Sequence, residues 1–305
     1  LKESCNSALP FSLPLDVFYT STHLDIHGRP TVRIGNLGGE YVGFCYADGA
    51  RFAVHRNGDE ILGDWPDEYS LEDAATYLVG PIMGFVLRLR GTIPLHASGI
   101  AVNDRAIALL GAPGAGKSTT AAAFAGQGYR ILAEDVVALQ EKDGSFWVLP
   151  GYPRVNLWPS SVEALFGSPD ALPVVTPAWG KHFLNLDGEE RQLFQQEPLP
   201  LCAIYFLGAR APGEQSPSIE MMDLPSALTT LVANTYVNYI LDTEMRRQEF
   251  EVLGRMVSML PVRVVRPSTE LSRLPQLCRA ITSDFQQLCA KGESKLHDRA
   301  TAPLR

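Results

Sequence analysis

The run Gly111-Ala112-Pro113-Gly114-Ala115-Gly116-Lys117-Ser118 fits the pattern G-x-x-x-x-G-K-[ST]. The apolar stretch Ala106–Leu110 before it predicts a buried strand, and Ser118–Ala125 after it predicts a helix. A strand that passes through a glycine-rich turn directly into a helix leaves few architectures open. Such a turn lets backbone N–H groups point inward around a polyphosphate, and the helix N-terminus adds a favourable field for an anion. The pattern therefore predicts a nucleoside triphosphate cradled by Gly111, Ala112, Pro113, Gly114, Ala115, Gly116, Lys117, Ser118 and Thr119. Lys117 would reach the β- and γ-phosphates, and Ser118 would hold Mg²⁺.

Other classes are excluded by composition. A net charge of −8, with no cluster of Lys and Arg, argues against a nucleic-acid partner, since binding a duplex needs concentrated positive charge. The longest apolar runs, such as Leu201–Leu207, are too short to span a bilayer, and Leu1–Pro14 lacks the basic start and apolar core of a signal peptide. Cys5, Cys45, Cys202, Cys278 and Cys289 are scattered, odd in number and without CxxC spacing. Reduced thiols and a cytoplasmic location are the expectation, without membrane association.

At 305 residues the chain has room for two domains. Residues 1–90 read as a small β-rich N-terminal domain ending in a linking helix. Short strands are expected at Thr31–Ile34, Tyr41–Tyr46 and Ala50–Val54, separated by glycine-bearing turns. Ser70 with Asp73 predicts a capping box, and Gly80-Pro81 a break in the helix that follows. Residues 91–290 read as an α/β domain built around the phosphate loop, with a frayed tail over 291–305. Within it, His96–Val102 and Ala106–Leu110 suggest a hairpin across Asn103-Asp104, and Tyr129–Leu132 the next strand. A second hairpin follows at Val136–Gln140 and Phe146–Leu149. Ser160 with Glu163 predicts a capped short helix, Ser168–Gln196 an irregular mobile loop, and Pro225–Leu241 and Glu244–Leu260 two helices. A terminal helix is expected over Leu274–Leu288.

Glu134 and Asp135 stand just past the strand that follows the loop helix. In open α/β sheets chemistry gathers at the carboxyl ends of strands, so the pair should face the terminal phosphate. Phosphoryl transfer asks for one carboxylate on Mg²⁺ and another to accept the proton of the attacking hydroxyl. Adjacent acids on an extended segment point apart, so both can serve only if the backbone turns there. His96, in Leu95-His96-Ala97-Ser98-Gly99, is by itself an ordinary core histidine. Its place before the loop and the acids makes it a candidate catalytic residue.

The order of histidine, phosphate loop and acidic pair resembles the HPr kinase/phosphorylase family. It is most similar to the divergent HPr-kinase-like kinases of lasso-peptide biosynthesis. The resemblance is specific over His96–Leu139, weaker over Gly151–Trp158 and Lys181–Leu186, and textural beyond. It implies a phosphate-loop core with a mixed sheet, like that of HPr kinase and phosphoenolpyruvate carboxykinase. It also implies an ATP- and Mg²⁺-dependent kinase acting on a serine of a peptide or small protein, and relatives that assemble as homo-oligomers. Carried over residue by residue, it makes Lys117 the phosphate lysine, and Ser118 and Asp135 the metal ligands. Glu134 becomes the general base, hydrogen-bonded to His96. The family usually has Asp-Asp here, so either the longer Glu134 sits differently or it is not the base. Arg154 either neutralises charge on the transferring group or is a surface arginine, and Lys181 is a candidate phosphate or substrate contact. His182 reads as a loop residue without a catalytic role. The phosphorylase signature is absent.

Two further readings stay open. A small-molecule phosphate-loop kinase would also place an acid after the strand that follows the loop, but its loop usually opens the chain. A non-catalytic ATP-binding regulatory protein would accommodate Glu134 in place of aspartate. The chain has neither an N-K-x-D guanine-reading motif nor the L-S-G-G-Q signature of a transporter ATPase.

Overall fold

A computed structural model describes residues 2–3, 10–177, 179–188, 192–212 and 217–301, with side chains for all of these except 2–3 and 292–301. Cys5 and residues 302–305 of the tail lie outside the described residues. The chain forms two compact units. The first takes the described residues up to Pro94 with those of 175–180 and 235–252, and the second takes the rest.

In the first unit, β1 (Lys2–Glu3), β2 (Leu15–Thr20), β3 (Val32–Leu37), β4 (Tyr41–Tyr46), β5 (Arg51–His55) and β6 (Ile61–Asp64) form one sheet in the order β1-β6-β5-β4-β3-β2. All neighbours are antiparallel except β1 with β6. Ile34, Phe44, Phe52 and Val54 on its inner face pack against Ile82, Phe85 and Val86 of a helical arm. That arm is α1 (Leu71–Tyr77) and α2 (Met83–Leu89). Ser70 opens α1 with the expected capping box. Gly80 and Pro81 break the run into a π-type turn over Leu78–Ile82, because the proline ring cannot fit the regular helical ladder. Arg88 of α2 is buried against Glu249, whose other oxygen accepts from Thr235 Oγ1 at 3.1 Å. Arg88 Nε also donates to Tyr236 O at 2.7 Å.

The second unit opens at Leu95, within β7 (Ile93–Val102), which is joined to β8 (Arg105–Gly111) through Asn103 and Asp104. Both turn residues have positive φ (48° and 56°), the conformation that matches the twist of a two-residue hairpin. Then come α3 (Lys117–Gly126), β9 (Ile131–Ala133), β10 (Val136–Lys142), β11 (Ser145–Val148), β12 (Arg154–Leu157) and α4 (Pro159–Phe166). The chain continues through β13 (Val174–Thr176), β14 (Trp179–Asn185), β15 (Leu199–Leu207), β16 (Ser218–Met221), α5 (Leu224–Ala233), α6 (Thr243–Met259), β17 (Val262–Arg266) and α7 (Leu274–Thr301), with 175–180 and the part of α6 up to Val252 belonging to the first unit. The main sheet is mixed, in the order β11-β10-β7-β8-β15-β17-β16, with β9 on β7. β8, β15 and β17 are parallel and central, which is why β8 reads as an uninterrupted apolar run with Ala106–Leu110 fully buried. α3, rich in buried alanine, packs with α7 on this sheet.

Four local expectations are corrected. The helix expected over Pro225–Leu241 ends at Ala233, and Thr235 and Tyr236 lie beyond it. There the Tyr236 ring takes the space above Gly84, where a Cβ would come within 2.6 Å of it, so tertiary packing overrides the helical pattern. Ser160 does not cap α4. Pro159 occupies the first helical position with Trp158 as cap residue, and the helix stops at Gly167 in a left-handed conformation. The stretch expected to be irregular contains β14, which pairs with β12 from Leu157↔His182 to Arg154↔Asn185. α7 runs from Leu274 to Thr301, beyond the Leu288 end expected for the terminal helix. Among the described residues no helix is long and apolar enough to cross a membrane.

Candidate active site

β8 delivers the chain into the loop at Gly111, and α3 leaves it at Lys117. A Cβ on Gly111 would stand 2.9 Å from Ala115 Cβ and 3.0 Å from Leu207 O, so only glycine allows this curl. Gly116, at φ 102°, is the cap residue of α3, and no side chain caps the helix start. The first-turn N–H groups of α3 are therefore left for a ligand. Lys117 is buried, and its Nζ donates to Gly111 O at 2.8 Å. Burial holds its ammonium below the usual lysine range, partly offset by the charges of Asp135 and Glu134.

The two acids follow β9. Glu134 is 5% exposed; its Oε1 accepts from Ser118 Oγ at 2.5 Å, and its buried Oε2 has no hydrogen-bond partner among the described residues. Burial, and then the neighbouring Asp135, push its carboxyl up to about 7. Ser118, the charge of Lys181 and the Asn156 backbone pull the other way. Asp135 has φ 67°, and Val136 N–H donates to Glu134 O at 2.8 Å across it. This is a γ-type turn with a non-glycine centre, a strained conformation of the kind that gathers at functional sites. It supplies the local turn that adjacent acids require. Asp135 Oδ1 thereby lies 3.1 Å from His96 Nε2, where Glu134 was the expected partner. The serine meets the first acid and the histidine meets the second.

A cavity of about 580 Å³ opens here, with Glu134 buried behind its wall. His96, Pro113, Gly114, Gly116, Lys117, Ser118, Thr119 and Asp135 all face it, and so does Lys181. Lys181 Nζ sits 5.2 Å above the Trp158 ring, which also lines the cavity. Thr119 Oγ1 and Ser161 Oγ are 2.8 Å apart, tying α3 to α4. Asn156 Nδ2 donates to Tyr152 OH at 2.8 Å, and burial beside Glu134 and Asp135 raises that phenol above its ordinary range. Arg154 is outside the lining: it is exposed, with its guanidinium 4.3 Å over the Phe183 ring of the paired strand. His182 is buried with Nδ1 2.6 Å from Leu172 O, a structural role. Among the described residues no group of three or more His, Cys, Asp or Glu forms a metal cluster.

No family model matches the chain, and no curated protein does. Among solved structures, the HPr(Ser) kinase/phosphatase of Coxiella burnetii is similar over 68% of this chain and 99% of its own, at 12% identity and a TM-score of 0.39. At that depth nothing about activity passes from one protein to the other.

Several lining residues escaped sequence reasoning. Arg210, Thr269 and Leu271 come from the segments after β15 and β17. The signal for Arg210 was its place three residues beyond the buried strand ending at Leu207, on the edge where α/β sheets bind ligands.

Proposed function

We propose that this chain is an ATP- and Mg²⁺-dependent phosphotransferase acting on a hydroxyl. One observation carries the reading: Lys117, Ser118, His96 and Asp135 line one cavity, with Ser118 paired to the buried Glu134 behind it and His96 paired to Asp135. The donor set fits the cation. Ser118 Oγ and the carboxylate of Glu134, whose second oxygen has no hydrogen-bond partner among the described residues, are the hard oxygen ligands that Mg²⁺ takes. Bound there, Mg²⁺ would neutralise charge on the polyphosphate oxygens. Lys117 and the loop N–H groups bind and orient the phosphates. Asp135 is the acid placed to accept the proton of the attacking hydroxyl, with His96 as its positioning residue. This exchanges the roles that the resemblance implies for the two acids.

The finer acceptor assignment rests on the sequence resemblance: a serine of a peptide or small protein, in its sharpest form the C-terminal serine of a lasso-peptide precursor, phosphorylated in the cytoplasm. Intact-mass spectrometry of peptides encoded beside the gene, after incubation with MgATP, tests it. A gain of one phosphate is expected, lost with Lys117→Ala and with the acceptor serine changed to alanine. ATP binding by calorimetry without transfer to any peptide would remove the peptide acceptor and direct the search to small-molecule hydroxyls. ATP binding with no transfer to either class would leave the regulatory reading.

A further inference from the structure

The cavity has a second flank. His96 on β7 and Asp135 after β9 belong to one side of β8, while β15 and β17 lie on the other. From that other side comes Arg210. Its backbone neighbourhood is fixed: Gly208 N–H donates to Val265 O at 2.8 Å, Ala211 N–H to Pro267 O at 2.9 Å, and Thr269 N–H to Ala211 O at 3.3 Å. The guanidinium rests on the loop itself, since a Cβ on Gly116 would come within 2.9 Å of Arg210 Nη2. Among the described residues it has no hydrogen-bond or ion-pair partner.

That placement is electrostatically unusual. The N-terminus of α3 carries the positive end of the helix dipole, and a cation set against it is unfavourable unless an anion lies between them. Lys117 has Asp135 and Glu134 close by to offset its charge; Arg210 has no carboxylate partner among the described residues. An exposed arginine held by its backbone against a like-charged helix end is arranged for an incoming anion. Planar guanidinium groups bind phosphate oxygens in pairs, with more geometric definition than an ammonium.

We infer that Arg210 is a polyphosphate-binding residue, the arginine of this site supplied from the end of β15. The inference rests on the phosphotransferase reading and adds that the site grips its nucleotide by the phosphate chain on both flanks of the loop. Arg210 reads charge there, not the base.

Calorimetric titration of the full chain with inorganic tripolyphosphate and with ATP, each with Mg²⁺, tests this. Arg210→Ala is expected to weaken both by the same factor, about tenfold or more. Arg210→Lys should recover part of the loss, and the loss should shrink as salt is raised. A loss confined to ATP, or no loss for either ligand, overturns the inference. If wild type binds neither ligand, the loop reading itself falls and takes the inference with it. If wild type binds both and Lys117→Ala abolishes binding while Arg210→Ala leaves it intact, only the inference is removed.

Discussion

Each unit of the molecule buries a glutamate, and the two are treated differently. Glu249, in the first unit, is held by Arg88 on one oxygen and by Thr235 on the other. Glu134, in the second, has Ser118 on Oε1 and, among the described residues, no hydrogen-bond partner on Oε2. A buried charge that is paired and hydrogen-bonded belongs to the architecture, and a buried acid left one bond short is kept for something else. Arg88 Nη2 is itself buried without a hydrogen-bond partner among the described residues, so the first pair is not fully satisfied either. Burial lowers the Arg88 pKa, with Glu249 opposing the shift. Even so, the unsatisfied atom at the phosphate loop is an acceptor that a cation can complete.

Removing each acid should separate the two. Glu249→Ala leaves Arg88 as an uncompensated buried charge and should destabilise the fold by about 3–5 kcal/mol in urea unfolding. Replacing both with apolar residues of similar volume should lose much less. If the double variant is as unstable as the single, the pair is not acting as a unit. Glu134→Gln should do the opposite. Its carboxyl titrates near 4.5 when unfolded and at about 7 when folded. The stability associated with the protonated form is therefore fully present below 4.5 and lost as pH rises through 7. The ligand-free glutamine variant should melt like wild type near the lower limit. Well above neutrality it should be more stable by about 3 kcal/mol, read as a rise in melting temperature of several degrees. Equal melting at both pH values would mean that Glu134 is as well accommodated as Glu249.

The smallest effects concern helix starts. Ser70→Ala removes a true cap from α1 and should cost about 1 kcal/mol. Ser160→Ala, beyond a proline at the second helical position of α4, should cost only about 0.3 kcal/mol in the same unfolding measurement. Equal losses would mean that Ser160 caps after all.

What was legible in the sequence was local. The Ser70 capping box, the Asn103-Asp104 turn, the break at Gly80-Pro81 and the strand–loop–helix around Gly111 depend on residues a few positions apart. What was not legible depends on partners brought from afar or on a single backbone angle. The pairing of His96 with Asp135 follows from the positive φ at Asp135, which no side-chain pattern announces. Arg154 was drawn away by Phe183 through a strand pairing hidden in what read as a loop. Arg210 entered only because the sheet order sets β15 beside β8. The end of α5 was decided by a tyrosine ring settling on Gly84.

The hairpin register runs without a slip from Val102↔Arg105 to Ala97↔Leu110, and the next residues along the two strands are His96 and Gly111. The hairpin therefore acts as a ruler, fixing the histidine relative to the loop entrance by counting pairs from the buried end. Its closed end is the exposed Asn103-Asp104 turn, six strand pairs away from the loop entrance. New termini or a reporter domain could be spliced there, with the chemistry at the far end keeping its alignment.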